Sequence, residues 1–177
     1  RYEKHRPAIR LLLDTTQKVL KGTYRYVNGE ERLYLDEKKY VKINFASSGQ
    51  QEIVWVFNLL FYYLLEDRKV FLILEEPESH LYPDSQQMVG EILALFLNEG
   101  NGELITTHSP YILGTFNYLL LAGQVRPEKE TNIKEKIRKR YWIDSGSAVA
   151  YHIHDGKMDN AMDLDEGIEL INNSLID

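Results

Sequence analysis

Val70-Phe71-Leu72-Ile73-Leu74-Glu75-Glu76-Pro77 runs from an unbroken apolar stretch into two adjacent carboxylates and a proline, and its reading decides the fold. So short an apolar run, placed in an alternating α/β pattern, predicts a strand covered on both faces, as in parallel sheets flanked by helices. Beyond it, Asp84 to Leu97 has helical apolar spacing, Gly100-Asn101-Gly102 turns the chain, and Glu103 to Thr107 predicts a second strand. Strand, helix, strand in this order implies a right-handed crossover and parallel pairing. Glu75, Glu76 and His108 then fall at the carboxyl ends of two parallel strands, where open α/β sheets bind ligands. Ser109-Pro110 opens a further helix toward Leu121, with the proline in its tolerated first turn.

Working back toward the start, Ile53, Val54, Phe57, Leu60, Phe61 and Leu64 recur at helical spacing between Gln50 and Glu66, which predicts a largely buried helix. Ser47-Ser48-Gly49-Gln50 stands where a strand becomes that helix. Hydroxyls, free N–H groups and the positive helix end suit such a start to an anion. Before it, Thr23 to Val27, Arg32 to Leu35 and Tyr40 to Phe45 predict a three-stranded meander, with Asn28-Gly29 supplying a tight hairpin turn. Pro7 to Lys21 predicts a helix, with Gly22 as its stop. Toward the end, Arg126 to Arg140 reads as charged and exposed, and its basic run Lys134, Lys136, Arg138, Lys139 and Arg140 reads most simply as a solvated helix face. Ser147 to His154 and Lys157 to Met162 form a hairpin about Asp155-Gly156, followed by an acidic tail whose acids suit turns and caps.

The bulk properties narrow the classes of function. At 177 residues and 44% hydrophobic the chain is one domain with a sizeable core. A net charge of -6 argues against coating a nucleic-acid backbone, and leaves room only for a local basic patch such as Lys134, Lys136, Arg138, Lys139 and Arg140. With no cysteine there is neither a disulfide framework nor a thiolate metal site, which suits a cytoplasmic location. No apolar run is long enough to span a bilayer, so no membrane partner is expected.

Taken singly, Glu-Glu-Pro is usually acid before a turn, and Ser-Ser-Gly is usually a helix cap. In this order and spacing they match the needs of phosphoanhydride hydrolysis: a metal held against phosphates, a base for water, and a group sensing the transferred phosphoryl. His152 and His154 alternate along a strand near Asp155, a spacing open to a metal, though an exposed hairpin face is the simpler reading. Tyr62 and Tyr63 read as packing residues rather than stacking platforms.

The chain resembles the ABC-type ATPases, in the branch of prokaryotic predicted ATPases related to overcoming-lysogenization-defect proteins. Ala46-Ser47-Ser48-Gly49-Gln50 is similar to the signature motif and Val70 to Glu76 to Walker B. Pro77 to Pro83 is similar to the D-loop, and Leu104-Ile105-Thr106-Thr107-His108-Ser109 to the switch-histidine loop. The resemblance implies an α/β fold: the C-terminal portion of an ABC-type P-loop ATPase, with parallel strands, flanking helices and β-hairpins. It implies ATP and Mg2+ as cofactors, Glu75 near the metal, Glu76 as general base and His108 on the terminal phosphate. Ser47, Ser48, Gly49 and Gln50 would contact ATP held by a second ATPase domain, most simply in a homodimer.

Several departures stand beside that resemblance. Glu75 replaces an aspartate, moving the carboxylate by about 1.5 Å; Ser48 replaces a glycine, and Tyr82 the D-loop aspartate. No G-x-x-x-x-G-K-[ST] phosphate loop occurs in the chain. Together with an opening Arg1-Tyr2-Glu3-Lys4, this leads us to expect the phosphate loop on an N-terminal lobe upstream of Arg1, with the isolated chain inactive. The expected organisation is a single partial ATPase domain over 1–177: helix and meander in 1–45, the motif-bearing core in 46–122, and a charged segment with a terminal hairpin in 123–177. Two other readings compete with it: a non-catalytic dimerisation module, and the ATPase part of a nucleic-acid-processing antiphage system.

Overall fold

The structure, a computed structural model, describes residues 2–125, 133–165 and 167–175. Helix α1 spans Tyr2–Leu20 and so begins ahead of Pro7, which lies inside it. Proline gives no N–H to the carbonyl four residues back, and the exposed opening turns let water serve that group instead. The helix ends as its spacing predicts. Lys21 takes φ 51° while its N–H reaches the Lys18 carbonyl at 3.3 Å and the Gly22 N–H reaches Gln17 at 3.1 Å, the paired bonds of a Schellman stop. Gly22 is glycine because a Cβ there would sit 2.7 Å from the Tyr34 carbonyl oxygen.

The meander follows as β1 (Thr23–Val27), β2 (Glu30–Tyr34) and β3 (Tyr40–Lys42), antiparallel in that order. Asn28 and Gly29 adopt φ 53° and 81°, the left-handed pair that a two-residue hairpin needs. Strand β3 is shorter than expected, because Ile43–Phe45 coils into a 3-10 turn that buries Ile43. Helix α2 (Ser48–Glu66) then buries Ile53, Val54, Phe57, Leu60 and Leu64.

Strand β4 (Phe71–Glu75), helix α3 (Pro83–Asn98) and strand β5 (Gly102–Thr106) form the expected crossover, with β4 and β5 parallel and Glu75 in register with Thr106. One expectation fails. Leu72 and Leu74 are buried, but Phe71 and Ile73 are 65% and 74% exposed, so β4 is covered on one face by the described residues. An unbroken apolar run does not reveal which of its two faces finds a neighbour. Helix α4 (Pro110–Gly123) packs on α3 where Gly90 meets Thr115. The core joins Ile9, Leu12, Phe57, Leu60, Leu93, Phe96, Ile112 and Leu120 from all four helices.

Two polar devices hold the periphery. His5, 2% exposed, places Nε2 2.7 Å from Asp67 Oδ1 and Nδ1 2.6 Å from Glu99 Oε2, tying the start of α1 to the ends of α2 and α3. Asn117 in α4 and Gln124, which caps its C-terminus, each exchange two side-chain hydrogen bonds with the backbone of strand β9 (Ile168–Ile171), at Ile171 and Glu169.

The C-terminal part holds two hairpins. β6 (Tyr151–His154) and β7 (Lys157–Asn160) turn at Asp155 and Gly156 as expected, whereas β8 (Met162–Asp165) pairs with β9 where an acidic tail was expected. Asp163, Asp165 and Glu169 therefore lie on strands, not in turns or caps. The basic stretch also differs. Its residues 126–132 lie outside the described residues; Lys134, Lys136, Arg138, Lys139 and Arg140 are exposed as expected, but they do not share one helix face, since Lys139–Tyr141 is a 3-10 turn and buried Ile137 and Tyr141 anchor the segment. No helix among the described residues is long and apolar enough to cross a membrane.

Candidate functional site

The parallel pairing of β4 and β5 brings the two separated motifs to one end of the sheet. Glu75 closes β4 with its side chain exposed, and the Glu76 N–H extends the ladder by one bond to the Thr106 carbonyl at 3.0 Å. There the backbone breaks: Glu76 has φ 42°, a left-handed conformation that disfavours a non-glycine residue by on the order of 1 kcal/mol. The break releases Glu76 from strand alternation. Its Oε2 accepts from Ser79 Oγ at 3.0 Å, and the Ser79 N–H bonds back to the Glu76 carbonyl at 2.9 Å.

His108 follows β5 on a short loop. Its Nε2 lies 3.5 Å from Glu76 Oε1, with the imidazole 90% and the carboxylate 44% exposed. Both groups are open to solvent and to each other. The loop around the histidine is fixed: Thr107 Oγ1 donates to Glu78 Oε1 and accepts the Ser109 N–H at 2.9 Å, while Ser109 Oγ donates to Gln86. Ser109 also caps α4, taking the N–H groups of Tyr111 and Ile112.

A cleft of about 260 Å3 lies between these segments, lined by Glu76, Glu78, Ser79, Gln86, His108, Ser109, Pro110 and Tyr111. Among the described residues its lining holds two carboxylates, Glu76 and Glu78, and no lysine or arginine. Such a lining suits a hydrated cation and a polarised water better than it suits a bare triphosphate. Magnesium commonly takes one or two carboxylates and keeps several waters, and Glu76 offers an oxygen donor of that kind within the cleft, whereas Glu75 is exposed on the Phe71 and Ile73 side of β4 and does not line it. The sequence holds no G-x-x-x-x-G-K-[ST] loop.

Ser47, Ser48, Gly49 and Gln50 form a separate feature. Ser47 caps α2 in a reciprocal box: its Oγ accepts the Gln50 N–H at 3.3 Å, and Gln50 Oε1 accepts the Ser47 N–H at 3.1 Å. Gln50 Nε2 also donates to the Leu20 carbonyl at 2.7 Å, locking α2 to the end of α1. Gly49 is buried, and a Cβ on it would come 2.5 Å from the His80 carbonyl oxygen, so its small size lets the helix press on the His80-Leu81 turn. Ser47 and Ser48 stay exposed. Gly49 abuts the turn that follows Glu76, and none of the four residues lines the cleft.

Glu78 carried no role in the sequence reading, yet it is 4% exposed and central to the loop contacts. A charged residue within an acidic turn gives no signal of burial. His80 is exposed and meets Glu52 at 3.2 Å. His152 and His154 stack at 5.0 Å, with His154 bonded to Asp159 at 2.7 Å, but no group of three or more metal-binding side chains able to hold an ion occurs among the described residues.

Comparison with known proteins agrees with the architecture. The chain is similar to a solved structure from work on ATP-driven dimerization and DNA-stimulated activation of SMC ATPases, with a TM-score of 0.50 and 9% identity over 90% of this chain and 88% of that one. At that identity the likeness concerns the fold. No curated protein sequence matches the chain. The family description "AAA ATPase domain" matches residues 5–113, which is more than half the chain and includes the Ser47, Glu75, Glu76 and His108 motifs. This chain therefore belongs to the AAA ATPase domain family.

Proposed function

We propose that this chain supplies the water-activating and partner-facing parts of an ATP hydrolase of ABC type, in the overcoming-lysogenization-defect-like branch. The observation that carries the reading is the meeting of Glu76 and His108 at 3.5 Å across two parallel strands. Glu76, held from one side by Ser79 and released from strand geometry, takes the proton from the attacking water. His108 donates a hydrogen bond to the terminal phosphate from its exposed loop. Glu75 holds the magnesium waters, and the ion, when bound, neutralises charge developing on the transferred phosphoryl.

The acidic cleft leaves the phosphates to be gripped by a phosphate loop on a further lobe. The exposed apolar side chains Phe71, Ile73 and Leu104 on one face of β4 and β5 support packing against such a lobe. Ser47 and Ser48 face a second ATPase domain, and ATP bound between the two domains closes a homodimer that hydrolysis loosens. The dimerisation named for the similar SMC ATPase structure supports this assembly. The test is magnesium-dependent phosphate release from ATP by the intact protein. Loss of release in Glu75→Ala and Glu76→Ala supports the assignment, and release at the wild-type rate in either removes that residue from it.

A further inference from the structure

Glu78 sits on the turn that carries Glu76, and its side chain crosses to the loop that carries His108. Its Oε1 takes the only proton of the Thr107 hydroxyl, so Thr107 Oγ1 is left to accept the Ser109 N–H at 2.9 Å, and both neighbours of His108 are pinned. Ser109 is held again through Gln86. The imidazole itself, 90% exposed, touches Glu76 at 3.5 Å and takes its position from the loop beneath it. A second observation sets Glu78 apart from an ordinary packing residue. Its Oε2 is buried and has no hydrogen-bond partner among the described residues, a penalty that a smaller hydroxyl side chain at this position would avoid.

We infer that Glu78 is a positioning residue: through Thr107 it sets the distance between His108 and Glu76, so that turn and loop move as one unit. The inference rests on the hydrolytic reading for its consequence, and on the hydrogen-bond geometry alone for its premise. Breaking the link releases the His108 loop without removing any group that touches nucleotide. The effect is on turnover rather than on ATP affinity.

Two measurements test it. In nuclear magnetic resonance spectra of the 177-residue chain, Glu78→Ala and Thr107→Val shift or broaden the His108 imidazole signals, Thr107→Ser restores them, and His152 and His154 on the distant hairpin stay unchanged. Unperturbed His108 signals in both variants overturn the inference, whether or not ATP is hydrolysed. Movement of every histidine marks a folding defect in that variant, and the Thr107 pair then decides. In the intact protein, Glu78→Ala and Thr107→Val each lower kcat about tenfold or more with KM for ATP little changed, and the double variant is no worse than either single one. Additive losses, or a raised KM at unchanged kcat, overturn it. A wild-type protein without turnover would instead refute the hydrolytic reading, leaving the spectroscopic result to stand on its own.

Discussion

Glu76 and His108 approach to 3.5 Å although they follow different strands, because β4 and β5 run parallel and Glu75 is in register with Thr106. Their separation is thus a property of the crossover rather than of either motif. The left-handed backbone at Glu76 completes the arrangement by turning its carboxylate out of strand alternation.

The contact between α2 and the His80-Leu81 turn depends on a missing methyl group. Gly49→Ala places a Cβ 2.5 Å from the His80 carbonyl oxygen and 2.8 Å from Leu81, where backbone cannot yield cheaply. We expect a loss of about 1–3 kcal/mol, read as a lower urea midpoint at unchanged slope. A variant as stable as wild type would show that the helix is free to move off the turn.

Burial pushes the Glu103 carboxyl up to about 8, and its Oε1 has no hydrogen-bond partner among the described residues. The ordinary value is 4.5, so between about 4.5 and 8 the unfolded chain has lost a proton that the folded chain keeps. Stability therefore falls as pH rises through this window, by up to about 1.4 kcal/mol per pH unit from this group. Urea unfolding at about pH 5 and about pH 8 should show that fall in wild type and a flatter profile in Glu103→Gln. Parallel profiles would contradict the burial of this side chain.

The His5 bridge gives a dependence of opposite sign. The hydrogen bond from His5, and then that from Lys4, hold the Asp67 carboxyl well below the usual carboxylate range. This contribution is complete above the unfolded value near 3.8 and is lost as pH falls further. His5→Ala, which leaves Glu99 and Asp67 without their shared partner, should lower stability by about 2–3 kcal/mol near neutral pH. It should also weaken the dependence of stability on acid pH. Thermal unfolding of both forms across the acid range measures the two effects together.

Where one residue type answers one backbone demand, the fold was legible in the sequence. Asn28-Gly29 and Asp155-Gly156 marked their turns because each needs two consecutive left-handed residues. Apolar spacing placed α2 and α3 to within a residue or two. The hairpin of β8 and β9 was hidden because Asp163 and Asp165 alternate with Met162 and Leu164, so charge masked β8, while its partner β9 is held by the amides of Asn117 in α4 and Gln124 just past it. The contact of Glu76 with His108 followed from topology. The link from Glu78 to Thr107 did not, since it depends on side chains 29 positions apart whose burial no local pattern signals. Ser47 forms the helix cap that Ser-Ser-Gly usually signals, and the structure adds Gln50 as the reciprocal partner in that cap on α2.

In the proposed mechanism Glu76 activates water and is not needed to hold the nucleotide. A comparison of Glu76→Gln with the wild-type intact protein, for phosphate release and for ATP-induced dimerisation in the same magnesium buffer, separates the two roles. Release should fall by about 10²–10⁴-fold, the usual contribution of a positioned base, while the ATP-dependent dimer persists and accumulates. Turnover at the wild-type rate in Glu76→Gln would contradict this mechanism.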